Sequence, residues 1–379
     1  MHYFIFADKD TTIYQASSSL NAGLDEILEV RKDVSDTGAS VNASRALIKF
    51  DLSYITSSIV SGLIPAPSKT DRWGSRYYLN LYDARSSNLA VSQSLYAHPI
   101  SGSWAMGEGR SYDDPISKEG ASWVYRHGKV NGKLWVSGPS GSVSASGGQW
   151  YSGSGYEGSF GFNHKTSDMR MEVTDIVKAW LSGSISNEGF MIKRSGSIAN
   201  ANTGSDEGST DRFGNFAFFS SDTHTKYPPT LEVVWDDSKW GTGSLSPLTQ
   251  TNLEDMVLYM RGLRPEYKEK SKARFRVVGR ERFPDKTYST TADNLSVKYL
   301  PSGSSYYSIA DAETNDVIVP FGTGSLLSCD STGNYFNLWL DGYQPERYYT
   351  LRYRVVSGSG TSDETDQYFD EGYTFKVTL

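Results

Sequence analysis

The sequence predicts an all-β protein built as two β-sandwiches in tandem, the first carrying one short helix and the second immunoglobulin- or fibronectin-like. Three observations carry that expectation. The 379 residues include 36 Gly and 25 Tyr with a heavy Ser load, and 21% are charged, a composition suited to short strands and tight turns. Apolar residues recur mostly at every second position, in short runs broken by Ser, Gly and Asp. One segment departs from this alternation: Ile176, Val177, Trp180 and Leu181 fall at helical spacing, two turns of a single apolar stripe.

Met1–Asp8 is short and lacks the basic start of a secretory signal, so it reads as the first strand. In Ser44–Leu52, Ala46, Ile48 and Phe50 share a face while Leu47 falls opposite, which suits a strand buried on both sides or bent near its end. Across Tyr77–Asp83 the residues Tyr78, Asn80 and Tyr82 alternate with Leu79 and Leu81. Met169, Met171 and Val173 form an alternating strand that runs into Thr174, a residue able to cap the helix. Gly183 can supply its left-handed stop, and Gly189-Phe-Met-Ile opens the next strand. Phe216–Ser220 and Thr230–Trp235 close this domain, with Tyr227-Pro-Pro229 as the extended link between them. Residues 137–162 and Ser195–Gly214 read as long surface excursions.

Composition shifts at Asp236–Pro247. The expected organisation is a first domain over 1–237, a linker over 238–252 and a second domain over 253–379. In the second domain Phe275 and Val277 oppose Arg274 and Arg276, and Leu351, Tyr353 and Val355 oppose Arg352 and Arg354. That is the pattern of antiparallel sheet with one wet face.

The first domain resembles the DNRLRE family, a jelly-roll-like β-sandwich of cell-surface and viral proteins. The resemblance rests on Asp10-Thr-Thr-Ile13 with Asn21-Ala-Gly23, Glu29-Val-Arg31, Ser44–Leu52, Leu79–Tyr82, Trp104, Trp123, Val173–Trp180, Asn187–Phe190 and Pro229–Val233. It covers about residues 7 to 235. Surface members of that family carry a signal peptide, whereas this chain begins directly with the domain. Joined to an Arg- and Tyr-rich sandwich, it looks like a structural protein of tailed phages. The resemblance therefore implies a virion protein made in the host cytoplasm, sited in tail, baseplate or neck rather than in capsid decoration. Its partners would be other virion structural proteins. A carbohydrate-binding adhesin that meets host-surface glycan is the alternative.

The residue chemistry points away from catalysis. Carboxylates sit largely in turn contexts such as Asp113-Asp114 and Asp363-Glu364, not in the spaced pair that a glycosidase needs. His2, His98, His127, His164 and His224 lack metal-ligand spacing. The sequence has no phosphate-binding Gly-rich loop and no hydrolase elbow. The lone Cys329 excludes an internal disulfide and reads as a small residue at a strand end. No cofactor is expected. For calcium the candidates are Asp8, Asp10, Asp236 and Asp237, although turn capping explains the same residues more simply.

Net charge is -7, which argues against a nucleic-acid surface, and no apolar run reaches the roughly 18 residues of a membrane span. Residues 264–286 nevertheless hold nine Lys and Arg against four Asp and Glu. Arg274, Arg276, Arg280 and Arg282 are therefore the candidate protein-contact residues, facing an acidic partner unless Glu266, Glu269, Glu281 and Asp285 pair off most of the strip's charge within the domain. On the first domain Trp150, Tyr151 and Tyr156 are candidate loop aromatics for protein or sugar contact.

Overall fold

A computed structural model describes residues 1–34, 41–89, 92–128, 132–135, 142–163, 166–195, 206–248, 255–284, 288, 296–358 and 364–379. The fold is all-β. Two compact units form, one from Ile5–Val233 and the other from Met1–Phe4 together with Val234–Leu379.

In the Ile5–Val233 unit one sheet runs in the order Gly158–Asn163, Ser92–Pro99, Phe190–Lys193, Val41–Lys49, Ile27–Val34 and Gly214–Phe219. Lys9–Tyr14 also pairs with Val41–Lys49. A second sheet sets Thr230–Val234, Arg76–Leu81 and Met169–Glu172 side by side, with Met169 opposite Leu81 and Met171 opposite Leu79. The two sheets face each other closely. A Cβ on Gly158 would lie 3.0 Å from the Glu172 carbonyl oxygen and 3.1 Å from Met171 Sδ, so a larger residue there would need these neighbours to give way. Ala43 to Ile48 are all buried, as a strand covered on both sides requires.

The Trp-bearing helix, α2 (Thr174–Leu181), is present and buries Ile176, Val177 and Trp180. Gly183 stops it at φ +73°. Thr174 does not cap it. Thr174 is the first helical residue, and its hydroxyl accepts the Tyr77 N–H (3.0 Å) and donates to Glu172 (3.2 Å). A second helix, α1 (Ser53–Val60), departs from the expectation of a single one. The Asp51 carboxylate accepts the Ser53 N–H and hydroxyl, both at 2.9 Å, and turns the chain out of the strand.

The second unit also has two sheets. One runs Ser246–Pro247, Lys298–Tyr299, Lys272–Glu281, Gly333–Trp339 and Ser328–Asp330, with Met256–Arg261 also paired to Lys272–Glu281. The other runs Glu266–Lys268, Thr365–Thr378, Arg347–Ser357, Ser305–Asp311 and Val317–Val319. Aromatic rings join them: Phe336 stacks on Phe275 (5.2 Å) and Tyr307 (4.1 Å), and Phe375 packs on Phe275 (5.2 Å) and Tyr349 (5.6 Å). The Met1 α-amino group lies 2.9 Å from Asp237 and donates to the Trp235 carbonyl at 2.6 Å.

The stretch expected as a linker is structured over its described part. The Cys329 N–H donates to Lys239 O (2.9 Å), Gly241 N to Cys329 O (3.0 Å) and Leu248 N to Tyr299 O (2.9 Å). Leu248 is buried in the second core. The division between units falls at Val233/Val234, because residues 238–248 spend their backbone hydrogen bonds within the second unit. Residues 249–252 lie outside the described ones.

Candidate functional site

Period two puts Phe275 and Val277 into the second core and Arg274 and Arg276 on the outer face of the strand Lys272–Glu281. The outer face is organised by Asp330 on the edge strand Ser328–Asp330, across Gly333–Trp339. Arg276 grips both oxygens of that carboxylate at 3.0 and 2.9 Å, holding it well below the usual carboxylate range. Arg274 lies 3.8 Å from the same group, donates to Asn337 at 3.1 Å and covers the Tyr335 ring at 4.3 Å.

The four arginines do not form one row. Val278, at the same parity, is buried and interrupts it. Arg280 is half-buried and turns back to the Glu281 carbonyl (2.9 Å), while Arg282 is exposed beyond the strand end. The excess charge is met only in part from within the strip. Asp330 lies outside the 264–286 window; Glu281 pairs with Lys298 at 2.5 Å and Glu269 with Lys270 at 3.0 Å. Asp285 lies outside the described residues.

The outer face of the other sheet carries the same chemistry. Arg354 is held by both oxygens of Asp366 at 2.8 Å and sits 5.6 Å from the rings of Tyr306 and Tyr368, its cross-strand neighbours. Asp366 lowers its carboxyl pKa through that contact. Arg352 is fixed by Asp370 and Asn315 at 2.8 and 2.9 Å. Tyr368 and Tyr348 are 57% and 51% exposed, so aromatic surface stands out from a face whose arginines are internally paired. Sequence alternation placed Arg352 and Arg354 outward; their carboxylate partners come from the adjacent strand and could not be read locally.

In the first unit Trp150 is not an exposed loop aromatic. It lies on the strand Gly148–Tyr151, is 2% exposed, and packs under the cations of Arg45 (5.1 Å) and Lys193 (5.4 Å) and beside His98 (6.0 Å). Burial, then Lys193, pushes the His98 pKa down to about 4. Tyr151 and Tyr156 remain half-exposed and face each other at 5.6 Å. The region expected as a surface excursion also supplies Gly158–Asn163, a strand of the large sheet. The polar stretch Ser195–Gly214, of which 196–205 lie outside the described residues, delivers the buried Glu207 to Arg45.

The carboxylates considered for calcium are engaged separately. Asp10 accepts the Ser221 N–H (2.7 Å) and hydroxyl (3.0 Å), Asp236 accepts Ser238, and Asp237 meets the Met1 amine. Among the described residues no three His, Cys, Asp or Glu gather as metal ligands. Cys329 is buried, which pushes its thiol up to about 11. No helix among the described residues is long and apolar enough to cross a membrane.

No family model matches the chain, and no curated protein matches it. A similar solved structure is the crystal structure of an FMN-binding beta-glucuronidase from Facaelibacterium prausnitzii L2-6. The two share 10% identity with a TM-score of 0.21, over 98% of this chain and 39% of that one. A likeness that slight carries no conclusion about fold or activity.

Proposed function

We propose that this chain is a non-enzymatic structural protein of a tailed-phage virion, in tail, baseplate or neck, acting by protein–protein assembly. The observation that supports the reading is the Tyr306–Arg354–Tyr368 array clamped by Asp366, an exposed face of fixed arginine and protruding tyrosine. Tyrosine and arginine are the residues that anchor protein contacts, and rings held in place lose little entropy on binding. Because the arginines already have carboxylates, recognition on this face falls to ring surface and hydrogen bonds more than to net charge. The DNRLRE resemblance of the first domain supports the virion assignment.

The test is incorporation. Particles banded on a density gradient should contain the chain at fixed stoichiometry. The variant Tyr348→Ala/Tyr368→Ala should melt like the parent, since both rings are exposed, yet be lost from particles. Absence of the parent chain from purified particles would remove the virion reading. Full incorporation of the double variant would remove this face as the contact.

A further inference from the structure

A cleft of about 470 Å³ opens in the Ile5–Val233 unit, lined among others by Tyr14, Asp25, Glu26, Glu29, Tyr112 and Phe219. It belongs to the other unit from the arginine–tyrosine faces and is not used in the function proposed above. Three of its lining groups are carboxylates, and Arg85 is the one cation among them. The balance is therefore negative.

Two of these carboxylates are built in with neutral partners. Asp25 is 8% exposed; one oxygen takes the Ser111 N–H at 3.0 Å, and it forms no ion pair among the described residues. Glu29 accepts the Tyr14 hydroxyl at 3.0 Å and the Asn215 amide at 2.7 Å, again without a cation. Burial pushes the Asp25 carboxyl up, against the pull of the Ser111 hydrogen bonds and of the more distant Arg110 charge. Glu26 is more exposed and lies 3.9 Å from His224.

Rings supply the other half of the lining. Tyr112 is 71% exposed; its hydroxyl accepts Arg110 Nη1 at 2.7 Å, and the same guanidinium lies 5.9 Å from its ring. The segment that presents it is clamped by the fully buried Asn21. That amide donates to the Met106 and Ala121 carbonyls (2.7 and 2.9 Å) and accepts the Gly109 N–H (2.9 Å). Carboxylates beside aromatic faces in a preformed cleft stabilise an organic cation through both charge and ring quadrupole. A bare metal ion would leave most of this volume unfilled, and a neutral sugar would leave the charge unmatched.

We propose that the cleft binds an alkylammonium or guanidinium group, presented as a Lys or Arg side chain by a partner polypeptide. The test is calorimetric titration of the full chain with four probes: acetyl-Gly-Arg-Gly-amide, its Gln counterpart, spermidine and maltose. The Arg peptide should bind and weaken as salt rises, and the Gln peptide should not bind. Asp25→Asn, which can keep the Ser111 contact, and Tyr112→Ala, at an exposed ring, should each weaken the Arg peptide at least about tenfold, with Asp25→Asn melting no lower than the parent at neutral pH and Tyr112→Ala melting like it. Binding of spermidine alone would overturn the polypeptide source. Binding of maltose in place of the cations, no binding of either cation, or no effect of Asp25→Asn would overturn the site.

Discussion

Arg45 and Glu207, 162 positions apart, meet in a two-pronged ion pair, Nε to Oε1 at 3.0 Å and Nη2 to Oε2 at 2.6 Å. Their side chains are 3% and 6% exposed. The guanidinium also lies over Trp123 (4.8 Å) and Trp150 (5.1 Å), and Lys193 approaches the same carboxylate at 3.5 Å. Glu207 is thus the anion that makes two buried cations tolerable. Glu207→Gln keeps the shape and removes the charge, and it should cost about 3–5 kcal/mol, the range for breaking a buried pair from one side. Urea denaturation measures this. A loss below about 1 kcal/mol, the scale of an exposed pair, would show that water reaches the cluster.

What the sequence made legible was local. Phe275 and Val277 face inward and Arg274 and Arg276 outward, because the side-chain period of a strand is two. The α2 stripe was readable because helical side chains recur every 3.6 residues, and its stop because Gly183 takes a left-handed φ. The unread features are pairings across long separations. Trp150 looked like a loop aromatic because nothing near it in sequence announces Arg45 or Lys193. Asp330 lies 54 positions from Arg276, so a window of local charge could not find it. Helix α1 was hidden by apolar residues through Leu52 that continued the preceding strand pattern, although Asp51 with Ile55 and Ile59 carried a helical signal. The stretch expected as a linker was not legible as structured chain, because Gly- and Ser-rich composition resembles a linker even where backbone bonds fasten it.

Asp10 makes stability fall as pH rises. It is 1% exposed, and burial pushes its pKa from 3.8 up to about 7 despite the two bonds from Ser221. Between about pH 4 and 7 the folded chain keeps a proton that the unfolded chain has lost. The stabilisation is complete below the unfolded value and is lost as pH climbs through the folded one. The change is on the order of 4 kcal/mol at most. Asp10→Asn can still receive the Ser221 N–H and should remove this slope. Denaturation of both proteins at pH 4 and pH 8 provides the check: the variant should gain on the parent by several kcal/mol at the higher pH. Equal pH dependence in the two would mean that Asp10 ionises normally.

Trp180 ties α2 to the large sheet. Its ring is 7% exposed and packs 4.6 Å from Phe190, which in turn meets Phe50 at 6.1 Å. Truncation to Ala leaves a cavity that neighbouring rings cannot close, and it should cost about 3–5 kcal/mol. The indole N–H is buried without a hydrogen-bond partner among the described residues, so part of the Trp side chain's burial is already unfavourable. Trp180→Phe discards that N–H while keeping a ring against Phe190, and should therefore cost at least about 2 kcal/mol less than the Ala variant. Thermal and urea melts of the two variants separate these contributions. Equal losses would mean that indole size, not ring contact, holds the helix down. An unchanged midpoint in the Ala variant would mean that α2 is not coupled to the sheet at all.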